Sequence, residues 1–194
     1  MEQKIKHDCV NNTKKVTGVP ATHPDVVVMQ GDISEEAADM LVSPDDTQLS
    51  MSGGASAALR DAGGEELYET AQAEAPIDVG EVAVTPAFEL FADYVVHVAS
   101  KPALGSATAA SVQNATETAF QAADEHECRS RVLPPLGGGV GGLDGARSAE
   151  LICATAAEQR FDSLAEIRLI TRSSEQYRDL CDIVVDYRSD SNYR

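Results

Sequence analysis

Five glycines fall within six residues, Gly137-Gly138-Gly139-Val140-Gly141-Gly142. A strand-like run, residues 131–136, precedes them, and a helix-like run follows from Asp144. Glycine admits positive φ and leaves its N–H groups open to a ligand. At a strand-to-helix junction those groups, with the helix dipole, form an anion site. The chemistry this suggests is the binding of a phosphate-bearing small molecule. A flexible surface turn is the plainer reading of the same residues.

Two other strand-like runs end in polar or glycine-rich residues. Residues 26–29 lead into Gln30-Gly31-Asp32-Ile33-Ser34. Residues 40–42 lead into Ser43-Pro44-Asp45-Asp46 and then Ser52-Gly53-Gly54-Ala55-Ser56 at a helix start. Asp32 is suited to accept a hydrogen bond from an amino group such as the adenine N6, or to serve as a turn or N-cap residue. Gly53-Gly54 suits a second phosphate or a ribose, or a simple turn. The Asp45-Asp46 pair suits ribose hydroxyls, a divalent cation or an activated water, or a solvated acidic loop.

The elements that must position these loops alternate. Strands are predicted at 26–29, 40–42, 81–85, 94–99, 131–136 and 166–171. Helices are predicted at 52–62, 65–75, 108–125, 144–159 and from 175 to 182 or beyond. About six strands interleaved with helices imply an α/β layered domain with a largely parallel sheet. Such sheets bind ligands at the carboxyl ends of their strands, where all three loops fall. The expected division is a polar tail or edge extension over 1–24, one domain over 25–187 and a tail over 188–194.

Read literally, Gly137-x-Gly139-x-x-Gly142 satisfies a dinucleotide fingerprint. That fingerprint belongs on the first strand of a βαβ unit, and here a single clear strand remains. No Lys-Ser or Lys-Thr follows Gly142, so it is not a Walker loop.

Composition limits the partners. The 194 residues carry a net charge of −17. Four of the five lysines precede residue 16, and from Asp25 onward 30 acidic residues face 11 basic ones, with Lys101 the sole lysine. An acidic, lysine-poor surface resembles that of proteins from salt-loving microbes. At molar salt the Debye length is about 3 Å, which screens the self-repulsion. Nucleic acid is not an expected partner, because its affinity comes from Lys and Arg neutralising phosphates. Phosphates would have to be held by backbone N–H groups rather than by lysines. The four cysteines, Cys9, Cys128, Cys153 and Cys181, are far apart and form no metal-ligand spacing. No metal, cofactor or membrane segment is expected, and a reduced cytoplasmic setting and a monomer are the defaults.

Four stretches together resemble the macrodomain family, which binds ADP-ribose. Residues 28–34 resemble its strand plus Gly-Asp-Ile-Thr, and residues 51–59 its glycine-rich helix start. Residues 80–87 with Tyr94-Val95-Val96-His97 resemble its Gly-Glu-x-x-x-Thr and Tyr-x-x-His segments. Residues 133–141 resemble its Leu-Pro and glycine loop. The resemblance implies a three-layer αβα sandwich around a mixed, mostly parallel sheet, and a partner that is ADP-ribose or an ADP-ribosylated protein. It implies that Asp32 binds the adenine amino group beside the Ile33 N–H. Gly53, Gly54, Ala55 and Ser56 would lie against the diphosphate and distal ribose. Gly137, Gly138, Gly139, Val140 and Gly141 would wrap the diphosphate from the other side.

Three positions depart from the family pattern. Asp46 stands where the family often has an Asn serving the distal ribose; it would accept from hydroxyls without donating, or act as general base. Gly141 replaces an aromatic. Arg172 stands near the place of an aromatic beside the adenine, and its guanidinium is suited to stack on the base. His97, in mid-strand, reads as a core histidine. Two functions are open: hydrolysis of an ADP-ribosyl or distal-ribose ester bond, as in Appr-1-p processing, or non-catalytic reading of ADP-ribose.

Overall fold

A computed structural model describes residues 23–189. Its sheet has six strands in the order β1-β6-β5-β2-β4-β3. They are β1 (Asp25–Gln30), β2 (Ala38–Asp46), β3 (Val82–Pro86), β4 (Ala92–Lys101), β5 (Ser130–Leu133) and β6 (Glu166–Thr171). All neighbours run parallel except β3, which pairs antiparallel with β4 at the edge. The helices are α1 (Gly54–Gly63), α2 (Glu65–Glu74), α3 (Ala109–Glu125), α4 (Gly145–Glu158) and α5 (Ser174–Ser189).

The sheet is covered on both faces, which is why its strands read as unbroken apolar runs. Successive side chains leave a strand on opposite faces. Met40, Val42, Val96 and Val98 pack with Val112, Phe120, Ile152 and Leu180 of α3, α4 and α5. Leu41 and Val95 pack with Leu59 and Leu67 of α1 and α2. The result is the expected three-layer αβα sandwich. A capping box at Thr108 and Ser111 starts α3, and the Asp144 side chain accepts from the Arg147 N–H to start α4.

Two boundaries differ from the sequence reading in ways that matter to the site. β2 does not stop at Val42 but continues through Ser43-Pro44-Asp45-Asp46. Proline removes a ladder donor and is disfavoured in a central strand. Here β5 pairs with β2 only at Met40 and Leu41, so β2 has lost that neighbour by Pro44. Pairing with β4 carries it onward, Ser43 opposite His97 and Asp45 opposite Ala99. At the other end, α5 runs past residue 187 to Ser189, and Arg188 bonds the Asp25 carboxylate and the Val26 carbonyl. Of the expected tail over 1–24, only His23 and Pro24 lie within the described residues. Among the described residues no helix is long and apolar enough to cross a membrane.

One buried charge sits under the sheet. Arg131 is fully buried, with its guanidinium 4.2 Å from the Phe120 ring centroid and one bond to the Phe120 carbonyl. Its Nε and Nη1 have no hydrogen-bond partner. Burial pushes its pKa down to about 9, with Cys128 and Asp124 opposing the shift. A buried charge without a matched anion costs stability, and apolar replacement of such groups is often stabilising. Arg131→Met should therefore fold at least as well as the wild type, gaining about 1 kcal/mol in urea unfolding. A loss of stability on that substitution would mean the guanidinium contacts outweigh its desolvation.

Candidate functional site

A cleft of about 400 Å³ runs along the carboxyl ends of five parallel strands. In sheet order its lining comes from Gly31 after β1, Thr171 at the end of β6 and Arg172 after it, the loop from Pro134 to Gly141 after β5, Asp45 and Asp46 of β2, and Ser100 and Lys101 of β4. Strands lie about 4.8 Å apart, so these five ends span about 19 Å. Gly53, Gly54, Ala55 and Ser56 form another wall.

The middle of the cleft is backbone. No side chain caps α1 at Gly53, so the N–H groups of its first turn have no partner from the helix. Gly54 has φ +57, and a Cβ there would meet nothing within 4 Å. Opposite, the glycine loop forms a single 3-10 turn over Gly139–Gly141. Gly141, Gly142 and Leu143 donate back to Gly138, Gly139 and Gly137, which shapes the loop. Gly137 is required by packing as well as by its φ of +70: a Cβ would lie 2.6 Å from Ala107 Cβ and 2.8 Å from Val112 Cγ2. A Cβ at Gly53 would lie 3.4 Å from Val140 Cγ2, so the two walls approach each other there.

The second wall is built by the two aspartates, which are not a solvated loop. Asp45 is 3% and Asp46 is 8% exposed. Asp45 Oδ1 accepts from the Met51 N–H at 3.1 Å; Oδ2 accepts from the Ser43 hydroxyl at 2.7 Å and faces His97 Nδ1 at 3.3 Å. His97 is fully buried, and its Nε2 lies 3.1 Å from the Thr85 hydroxyl. Asp46 Oδ1 accepts from the Gln48 N–H at 2.8 Å and Oδ2 from the Ser50 hydroxyl at 2.7 Å. Between these anchors Leu49 and Met51 take positive φ (49° and 44°), a conformation disfavoured for side-chain-bearing residues. Both are buried in full or nearly so, which offsets the strain. The Gln72 side-chain amide adds bonds to the Gln48 and Leu49 carbonyls.

An ion pair stands at each end. Arg172 Nη2 pairs with Asp32 Oδ2, while Asp32 Oδ1 accepts from the Ser34 N–H and hydroxyl. Burial raises the Asp32 pKa, but the Ser34 bonds and Arg172 outweigh it and hold the carboxyl below its ordinary value. At the other end Lys101 Nζ stands 3.8 Å from Asp46 Oδ2.

Of the residues singled out in the sequence, Ile33, Asp46, Gly53 to Ser56, Gly137 to Gly141 and Arg172 all line this one cleft. Asp32 does not line it; Gly31 and Ile33 on either side do, and Asp32 reaches it through Arg172. Arg172 holds Asp32 through the edge of its guanidinium, which leaves the flat face of the group exposed. The lining residues not foreseen include Lys101, Ser100, Ser50, Ile170, Thr171 and Gln176. Lys101 had a signal, being the sole lysine beyond residue 15. It joins Asp46 and Arg172 as a charged side chain on the lining. Among the described residues no cluster of His, Cys, Asp or Glu is placed to hold a metal ion.

The family model described as "Macro domain" matches residues 42–152. A protein of Aeropyrum pernix is 32% identical over 156 residues, covering 80% of this chain and 82% of the relative. A Mycobacterium tuberculosis protein is 34% identical over 140 residues, and the match spans 39% of its length. Among solved structures, an Oceanobacillus iheyensis macrodomain mutant with ADPR superposes at TM-score 0.76 with 19% identity, covering 86% of this chain and 96% of that one. A Trypanosoma brucei macrodomain in complex with ADP-ribose gives 0.75 with 17% identity, covering 82% and 69%.

Two outcomes follow from the geometry. Asp45→Ala leaves the Met51 N–H and His97 without their buried acceptor and should cost about 3 kcal/mol in urea unfolding. A loss below about 1 kcal/mol would show that the loop holds itself. The lowered pKa of Asp32 means its carboxylate adds stability above the ordinary value, and that this is lost as pH falls through the folded value. Arg172→Ala should raise the Asp32 pKa in a carboxyl NMR titration, and an unmoved titration would remove Arg172 as a cause.

Proposed function

The chain belongs to the macro domain family, and on that premise we propose that its cleft binds ADP-ribose or a close derivative. The observation that carries the reading is the distribution of donors. Two glycine-rich walls of backbone N–H groups face each other across the middle of a cleft whose ends carry side-chain donors and acceptors. A diphosphate suits the middle, since amides at a helix start and a tight turn stabilise anions without a free cation. A base with an exocyclic amino group suits the Asp32 end, and a sugar suits the end with Ser50, Asp46 and Lys101. Solved macrodomains that superpose on this chain hold ADPR or ADP-ribose. ADP-ribosylated protein is the corresponding macromolecular partner.

Asp46 bears on whether the cleft is catalytic. Its oxygens already accept from Gln48 and Ser50, and Lys101 stands nearby. That engagement favours a role in holding ligand over one as a general base, and so favours a reader of ADP-ribose. Hydrolysis of an ADP-ribosyl or distal-ribose ester bond, as in Appr-1-p processing, is the competing function.

Calorimetry in molar KCl, the condition suited to so acidic a chain, tests the binding. ADP-ribose should bind the wild type and bind Asp32→Ala at least tenfold more weakly, a loss of about 1.4 kcal/mol. Absence of heat with the wild type would sink the reading. Incubation with ADP-ribosylated protein and with O-acetyl-ADP-ribose separates the two functions. The expected result is unchanged substrate; turnover that disappears in Asp46→Ala would make the protein a hydrolase.

A further inference from the structure

Asp46 and Lys101 reach the cleft from the ends of adjacent parallel strands, β2 and β4. Their charged atoms are 3.8 Å apart, too far for a hydrogen bond between them. Neither group has spent its capacity. Asp46 Oδ1 and Oδ2 each accept one bond, from Gln48 and Ser50, so each oxygen has a further lone pair. Lys101 Nζ donates one bond, to the Pro102 carbonyl at 3.3 Å, out of three N–H groups. Two atoms at that separation can both lie about 2.8 Å from a single oxygen.

A carboxylate only accepts and an ammonium only donates, whereas a sugar hydroxyl does both. Alone, Asp46 would satisfy the hydroxyl's proton and leave its lone pairs facing a negative charge. Alone, Lys101 would do the reverse. We propose that Lys101 is a specificity-determining residue of the cleft. It supplies the donor that Asp46 lacks, so that the pair reads a hydroxyl of the sugar beyond the diphosphate. The inference rests on the ADP-ribose reading and names the residue pair that recognises the distal ribose.

The glycine loop makes this possible. A Cβ at position 141 would lie 3.8 Å from Lys101 Cδ and 3.4 Å from Ala107 Cβ. A larger side chain there would compete with the lysine stem for the same space. Gly141 and Lys101 therefore belong together: the loop gives up a side chain, and the lysine occupies the end of the cleft.

The logic predicts a rescue. An amide both donates and accepts, so Asn at position 46 would read a hydroxyl without help from residue 101. Calorimetry with two probes, ADP-ribose and ADP, tests this on the full chain. Lys101→Met keeps the apolar stem and removes the charge. It should weaken ADP-ribose about tenfold or more, the effect of losing a charge-assisted bond, and leave ADP, which has no distal ribose, within about twofold. The double variant Lys101→Met/Asp46→Asn should recover ADP-ribose affinity to within about threefold of wild type. Equal weakening of ADP and ADP-ribose by Lys101→Met would overturn the proposal, since the lysine would then serve the diphosphate. Failure of the double variant to recover, with its thermal melt unchanged, would overturn it as well. Wild type that binds ADP as tightly as ADP-ribose would overturn the distal-ribose contact while sparing a nucleotide site. Wild type that binds neither probe would overturn this proposal and the parent reading together.

Discussion

The Asp45 carboxylate is the interaction on which the cleft depends. It is nearly inaccessible to water and accepts from Ser43, Met51 and His97. Each contact ties down a different piece. Ser43 belongs to the same strand, His97 to the neighbouring strand, and Met51 to the loop that delivers α1. The His97 ring passes the chain on to Thr85 in the edge strand β3. One buried anion thus joins three strands and one loop. A buried charge is tolerable only when its lone pairs are filled and its donors fixed. That requirement gives the loop a single conformation, positive φ at Leu49 and Met51 included. Glycine at the N-cap leaves the start of α1 uncapped, and the carboxylate fixes the loop that delivers it.

Charge follows a similar economy. The described chain is strongly acidic, yet the two cations that line the cleft, Arg172 and Lys101, stand beside carboxylates at its two ends. Neither end carries much net charge. A bound diphosphate would therefore meet oriented backbone dipoles in the middle and near-neutral donor–acceptor pairs outside. Dipoles fixed by the fold are not displaced by salt as mobile surface cations are. A surface this acidic still leaves room for a small anion held by geometry.

Much of this was legible in the sequence, for identifiable reasons. Buried parallel strands are uninterrupted apolar runs, and the glycine loops punctuate them, so the layers and the three loops at the strand ends could be read locally. The αβα sheet and the convergence of Ile33, Asp46, Gly53 and the glycine run on one cleft agree with that reading. What escaped depends on pairing between distant segments. Pro44 looks like a strand breaker until β5 is seen to stop short of it. Asp45 looks like half of an acidic loop until the β2–β4 register sets Ser43 opposite His97, 54 positions later. Arg172 lies 140 residues from Asp32, and no local pattern couples them. Lys101 was visible as a solitary lysine, but its place beside Asp46 came only with strand order.

The glycine run divides on inspection into residues with different reasons to be glycine. Gly137 has no room: both its φ and its neighbours Ala107 and Val112 forbid a side chain. It serves the packing of α3 against the loop, and would be needed if the cleft bound nothing. Gly139 has positive φ but open space around its missing Cβ. A side chain there would cost backbone strain and project over the cleft without a clash. Gly141 is at neither extreme; its missing side chain borders Lys101. A loop selected only for tight packing would need glycine at 137 and would gain contact area from side chains at 139 and 141. Their absence at the two positions that border the cleft and its lysine, in a loop otherwise fixed by its own hydrogen bonds, fits a wall whose useful surface is its backbone.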